Sequence, residues 1–306
     1  MTEPNTLFEI SGYDNSNRIG DVIFIHGLGG DAFSTWHPQE KREDRECWPF
    51  WLGQERSDLG IWSFGYAAAA SDWKGKTMPL FHQASNLLDW LEICDIGKRP
   101  LIFICHSMGG LLVKKMLSAA QNFKKQELIE QTRGIVFLAT PHTGSHLANL
   151  IDNIRILARA TVSVKELKAY EPELLELNEW YRENVREMGI ATKVYYEAQP
   201  VRGILVVDPA SANPGIEKVK PIAIPQNHIS IVKPSSKKSQ VYLSVKKFIE
   251  QECLQPPIQP LKLEAKVEER KPEQLTIDNR RIGNYLESDA RIYGPVAGRD
   301  YINKDK

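Results

Sequence analysis

A chain of 306 residues is long enough for one large α/β domain, or for one domain with an appendage. Its 39 lysines and arginines are balanced by 39 aspartates and glutamates, which gives no footing for nucleic acid or an anionic membrane surface. An apolar share of 42% excludes a mostly disordered chain, and the four cysteines (Cys47, Cys94, Cys105, Cys253) lack the CxxC spacing of a zinc site. Reduced thiols in a cytoplasmic protein are the expectation.

The opening stretch MTEPNTLFEI has neither a basic n-region nor an apolar h-region, so no secretory leader is expected. No apolar run approaches the ~18–20 residues of a spanning helix. The first strong element is 21–26 (DVIFIH), which reads as a strand covered on both faces and runs into the glycine-rich turn HGLGG. Residues 37–60 are polar yet hold Trp48, Phe50 and Trp51. A strand is predicted at 61–66, then a helix at 78–93 with Leu80, Ala84, Leu87, Leu88 and Leu91 at helical spacing. A strand at 101–106 (LIFICH) and a helix at 109–122 follow, then a strand at 134–140. The insertion at 144–189 is natural lid material, with Leu150, Ile154 and Leu157 placed to face an acyl pocket. Strands at 192–198, 203–207 and 221–224 and a helix at 236–250 close the pattern. Such alternation predicts an α/β fold with a mainly parallel, doubly wound sheet over 1–252. Pro256, Pro257, Pro260 and Pro272 among many charges mark 253–280 as a linker, and 281–306 as a tail for a protein partner.

Chemistry concentrates at two turns. Ser107 follows an apolar strand and precedes Met108, Gly109, Gly110 and a helix, the setting of a nucleophile held on a sharp strand-to-helix turn. The position two before it, glycine in the full G-x-S-x-G form, is Cys105, a small residue that packs as a modest hydrophobe. A rival in which Cys105 is the nucleophile is weaker, because that strand position points into packing. The other turn, His26-Gly27-Leu28-Gly29-Gly30, suits an oxyanion loop: the N–H groups of Leu28 and Met108 are the two donors, with Gly27, Gly29, Gly30 and Gly109 permitting close approach. Its spacing matches neither the dinucleotide fingerprint nor the P-loop.

The general base of such a site comes late, and of seven histidines only His228 lies after residue 146. His26 and His106 are expected to support backbone, His142 to make structural hydrogen bonds, and His37, His82 and His146 to lie at the surface or in the lid. Two acids compete to orient His228. Glu197, at the end of TKVYYE, has the better position; Asp208, in GILVVDPASA, has the commoner residue type.

The runs HGLGGDAFSTW, ECWPFWL, CHSMGGLLVKKML, TRGIVFLATPHTGSHLA and NHISIVKP together resemble the serine-active-site-containing lipase-like α/β-hydrolase family, related to GPI inositol-deacylase-like hydrolases. The resemblance covers about residues 20–250. It implies an α/β-hydrolase fold, Ser107 as nucleophile, His228 as base and Glu197 as acid, since the family carries no acid at the position of Asp208. It further implies cleavage of lipid or phospholipid acyl esters, with no metal or organic cofactor and with peripheral membrane contact compatible. Two alternatives stand beside it. One is a hydrolase-fold interaction or defence-effector module with little catalysis, suggested by the tail YGPVAGRDYINKDK, which faintly resembles linkers of bacterial defence proteins. The other is thioesterase, acyltransferase or peptidase chemistry on the same three residues.

Overall fold

The computed structural model describes residues 5–66, 80–142 and 171–254. Its apolar runs become seven strands of one sheet: β1 (Thr6–Ser11), β2 (Gly20–Ile25), β3 (Leu59–Gly65), β4 (Leu101–His106), β5 (Thr132–Leu138), β6 (Ala191–Glu197) and β7 (Ile222–Ile224). Their order is β1-β3-β2-β4-β5-β6-β7. Only the pairing of β1 with β3 is antiparallel; the other five are parallel.

Strand alternation divides the core in two, because successive side chains leave opposite faces of the sheet. Leu101, Phe103 and Cys105 of β4 join Ile23, Ile25, Ile135 and Phe137 on one face. Ile102 and Ile104 join Val22, Phe24, Val136 and Leu138 on the other. The first face is covered by α2 (Leu80–Ile93) and α3 (Met108–Asn122); after α3 comes the short α4 (Gln126–Gln131). The second is covered by α1 (Trp48–Glu55) and by a closing helix that begins at Gln240. Every residue of β2 and β4 is buried, as a parallel strand covered on both faces requires.

The aromatic residues of the polar 37–60 stretch explain themselves here. Trp48 and Trp51 form the buried face of α1, and Trp36 and Trp48 set their rings 5.1 and 5.0 Å from that of Phe24. Of the 144–189 insertion, residues 144–170 lie outside the described residues, among them Leu150, Ile154, Leu157 and His146. Its remainder forms α5 (Glu171–Asn184), whose Leu177 and Tyr181 are buried, Tyr181 against Phe137. The closing helix α6 (Gln240–Phe248) continues as a π-helical turn, Ile249–Cys253. The helix thus starts at Gln240 and runs to buried Cys253, past its expected end at 250, and the rest of the linker and the tail, from 255 on, lies outside the described residues.

Two expectations need correction, and one strand has no counterpart among the predicted elements. No strand forms over 203–207, where one isolated bridge joins Val201 to Ile204; the backbone curls so that the Val207 N–H meets a carboxylate instead of a neighbouring strand. β1 was not foreseen, because only Leu7 of TLFEIS is buried and the hydrophobic signal of this edge strand is weak. His37 is buried rather than at the surface, since its Nδ1 accepts the Gln39 N–H at 3.0 Å and closes the turn from within. His82 is exposed, as expected. Among the described residues no helix is long and apolar enough to cross a membrane.

Candidate active site

From β2 the chain moves to β3 on one side and later to β4 on the other, so the turns after β2 and β4 flank a crevice at the carboxyl edge of the sheet. Ligand sites of open α/β sheets lie at such switch points. Ser107 occupies the turn after β4 with φ 49° and ψ −122°, a conformation that L-residues rarely adopt. Three hydrogen bonds hold it there. Its N–H donates to the Leu138 carbonyl at 2.9 Å, and its own carbonyl accepts from Thr140 Oγ1 at 3.0 Å and the Gly110 N–H at 3.1 Å. A Cβ on Gly109 would stand 2.4 and 2.5 Å from the carbonyl oxygens of Ile25 and His26, so only glycine lets α3 start this close to the end of β2. A Cβ on Gly27 would stand 2.8 Å from that of Ser107 itself.

His228 approaches from the loop after β7. Its Nε2 is 3.1 Å from Ser107 Oγ and its Nδ1 is 3.3 Å from Glu197 Oε1. With Nδ1–H directed at the carboxylate, Nε2 is left to accept the Ser107 hydroxyl proton. The loop is fixed at both ends of the imidazole. Asn227 Oδ1 accepts the N–H groups of Ile229 and Ser230 at 3.0 and 2.9 Å, and His106 Nε2 donates to the His228 carbonyl at 3.0 Å.

Glu197, the last residue of β6, is fully buried. Its Oε1 also accepts the Val207 N–H at 2.6 Å, while Oε2 has no hydrogen-bond partner among the described residues. Asp208 turns away into its own loop: its Oδ1 accepts the N–H groups of Ala210 and Ser211, both at 2.9 Å. Glu197 is therefore the carboxylate in contact with His228, and Asp208 shapes the turn that presents Val207 to Glu197.

Leu28, Gly29 and Gly30 line a cavity of about 250 Å³ together with His106 and His228. Met108 opens α3, where the first-turn N–H groups have no partner within the helix. His26 supports backbone: Tyr66 N–H donates to its Nε2 at 3.3 Å, and its Nδ1–H donates to the Gly27 carbonyl at 2.8 Å. Burial pushes the His26 imidazole down to about 4, so the ring is neutral at pH 7. Burial also holds His106 and His142 well below the usual imidazole range. The Cys105 thiol is fully buried on the α3 side of the sheet, and desolvation raises its pKa well above the ordinary value, which disfavours a thiolate.

Several contributors had no sequence signal. Val207 acts through its backbone, so its side chain says nothing. Thr140 and Asn227 are ordinary turn residues until their partners are known. The Lys233–Glu40 ion pair at 2.6 Å, on the same cavity, joins residues 193 positions apart.

No protein-family model matches the chain. Protein SERAC1 of Mus musculus is 37% identical over 254 residues, and Protein SERAC1 of Homo sapiens 36% identical over 252. Each comparison covers 75% of this chain and 38% of the relative, so the chain spans well under half the length of the curated relatives it matches. Among solved structures, the lipase BlEst2 of Bacillus licheniformis in its mature form is 15% identical with a TM-score of 0.52, covering 82% of this chain and 100% of that one. A parallel sheet with one antiparallel edge, a strained serine turn after β4 and that likeness make the chain an α/β-hydrolase by fold, similar over 75% of its length to part of SERAC1.

Proposed function

We propose that the chain is a serine hydrolase that cleaves carboxylic esters, lipid or phospholipid acyl esters in particular, through an acyl-enzyme. The observation that carries this reading is the line of contacts from Ser107 Oγ through His228 to Glu197, at 3.1 and 3.3 Å, on a strained turn at the carboxyl edge of the sheet. Ser107 Oγ attacks the acyl carbonyl while His228 Nε2 takes its proton, and Glu197 holds the ring in the required tautomer and stabilises the imidazolium. The N–H groups of Met108 and Leu28 bind the oxyanion, a contribution of about 3 kcal/mol for each donor. His228 then protonates the departing alcohol, and water activated by the same imidazole releases the acid. The contact of 3.3 Å to Glu197 is longer than a charge-assisted bond and tightens when the ring becomes positive.

An acyl substrate is supported by Leu28, Ile229 and Val232, apolar residues of the cavity beside His228, and by the kinship with SERAC1 and the lipase fold. Four free thiols support a reducing, cytoplasmic setting. Labelling with a fluorophosphonate probe tests the reading. Wild type and Cys105→Ala should label, whereas Ser107→Ala should not and His228→Ala only slowly. Labelling that survives Ser107→Ala overturns it, and loss confined to Cys105→Ala moves the nucleophile to the cysteine.

A further inference from the structure

Two turns along α3 from the serine, Lys114 is fully buried and forms no ion pair among the described residues. Its Nζ donates to His142 Nδ1 and to Asn178 Oδ1, both at 2.7 Å, and lies 4.9 Å from the ring centre of Tyr181 and 5.4 Å from that of Phe137. Desolvation pushes this amine down to about 7. Burying an amine among neutral acceptors and aromatic faces costs free energy whether it is charged or not, and a methionine would fill the same space without that cost. The fold alone gives no reason for a lysine here.

The reason lies in what its partners hold. His142 follows β5, and its backbone N–H donates to the Ser211 carbonyl at 2.6 Å. Ser211 is tied to Asp208 Oδ1 at 2.9 Å, and this turn delivers the Val207 N–H to Glu197 at 2.6 Å. Two residues before His142, Thr140 donates to the carbonyl of Ser107 at 3.0 Å. The 140–142 segment thus touches both the serine turn and the loop behind the acid. Lys114 is the side chain that clamps it, anchored in turn by Asn178 of α5.

We propose that Lys114 is a positioning residue for the Ser107–His228–Glu197 site, fixing the 140–142 segment through His142 and so setting the serine turn and the Glu197 loop together. The inference rests on the proposed roles of those three residues. Lys115 supplies the control, because its 2.7 Å ion pair with Glu173 also joins α3 to α5 but does not touch His142.

The experiment compares Lys114→Met, His142→Phe, the double variant and Lys115→Met by thermal unfolding, hydrolysis of p-nitrophenyl butyrate and fluorophosphonate labelling rate, with Ser107→Ala alongside. Lys114→Met should unfold no earlier than wild type yet lose about tenfold in kcat, with KM within about twofold and labelling slowed in step. His142→Phe should lose a similar factor, the double variant should be no worse than Lys114→Met alone, and Lys115→Met should keep its kcat. Unchanged kcat and labelling in Lys114→Met, multiplicative losses in the double variant, or an equal loss in Lys115→Met would overturn the proposal. Should Lys114→Met fail to fold, His142→Phe decides by the same criteria. A wild type that does not label, or a Ser107→Ala that does, sinks the hydrolase reading itself, whereas a labelled wild type with an indifferent Lys114→Met and His142→Phe sinks only the clamp.

Discussion

The site has two halves built by different means. The serine half, the turns after β2 and β4, is shaped chiefly by backbone sterics between two short stretches, with the hydrogen bonds of Ser107 beside them: Gly27 against Ser107, Gly109 against the end of β2, and a residue held at positive φ. The acid and histidine half, the loops after β6 and β7, is fixed by hydrogen bonds between residues far apart in sequence. Glu197 takes the Val207 N–H, His106 holds the His228 carbonyl across 122 positions, and Asn227 folds the histidine loop. Close packing leaves the first half little room to move, whereas each bond of the second can be removed singly. Substitutions in the serine half should therefore act all at once and those in the other half by degrees.

The largest effect tests the first half directly. Ser107→Ala should lower kcat by about 10⁴-fold or more with the fold intact, as measured on a short-chain ester. The second half should answer in a graded way. Glu197→Gln should cost about 10³-fold in kcat, because the amide no longer stabilises an imidazolium and favours the wrong tautomer of His228. Asp208→Asn keeps an acceptor for the Ala210 and Ser211 N–H groups, so its loss should stay under about tenfold. The reverse ranking would mean that Asp208 is the acid and that the resting geometry misleads.

The same division decides what could be read from sequence. Glycines at 27, 29, 30 and 109 around a serine after an apolar strand are local signatures, because the steric need and the residues that meet it lie within a few positions. The parallel strands were legible too, as runs buried on both faces carry a strong apolar signal; the half-exposed edge strand β1 was not. His228 is legible from chain order and from the NHISIVKP run. The choice between Glu197 and Asp208 stayed open on residue type and position, since it turns on a backbone N–H at Val207 that no side chain advertises. In the sequence, Lys114 is one of two adjacent lysines on an amphipathic helix, with nothing to distinguish it from Lys115. Its burial depends on α5, which comes 57 or more positions later.

Acid should expose a feature the halves share. His26 braces the glycine loop and His106 braces the histidine loop, and both are buried as neutral rings. Their folded-state pKa values are lowered from the ordinary imidazole value of about 6.5, that of His26 to about 4, so below pH 6.5 the unfolded chain binds more protons than the folded one. Stability contributed by the neutral rings is complete above about pH 6.5 and is lost as pH falls toward 4, by about 3 kcal/mol for His26 alone. Urea unfolding at pH 7.5, 6 and 5 measures this loss. A flat profile across that window would show that neither ring is held neutral.

The smallest predicted effect separates strain from chemistry in the serine half. A residue other than glycine at φ 49°, ψ −122° costs on the order of 1–3 kcal/mol, and glycine adopts such conformations freely. Against this, glycine gives the unfolded chain extra freedom worth about 0.5–1 kcal/mol. Ser107→Gly should therefore be inactive yet more stable than wild type by about 1 kcal/mol, whereas Ser107→Ala, equally inactive, keeps the Cβ and gains no such relief. Denaturant midpoints of the two variants make the comparison with the hydroxyl absent from both. If Ser107→Gly is no more stable than Ser107→Ala, the turn is not strained, and the three hydrogen bonds to Leu138, Thr140 and Gly110 alone hold the serine in place.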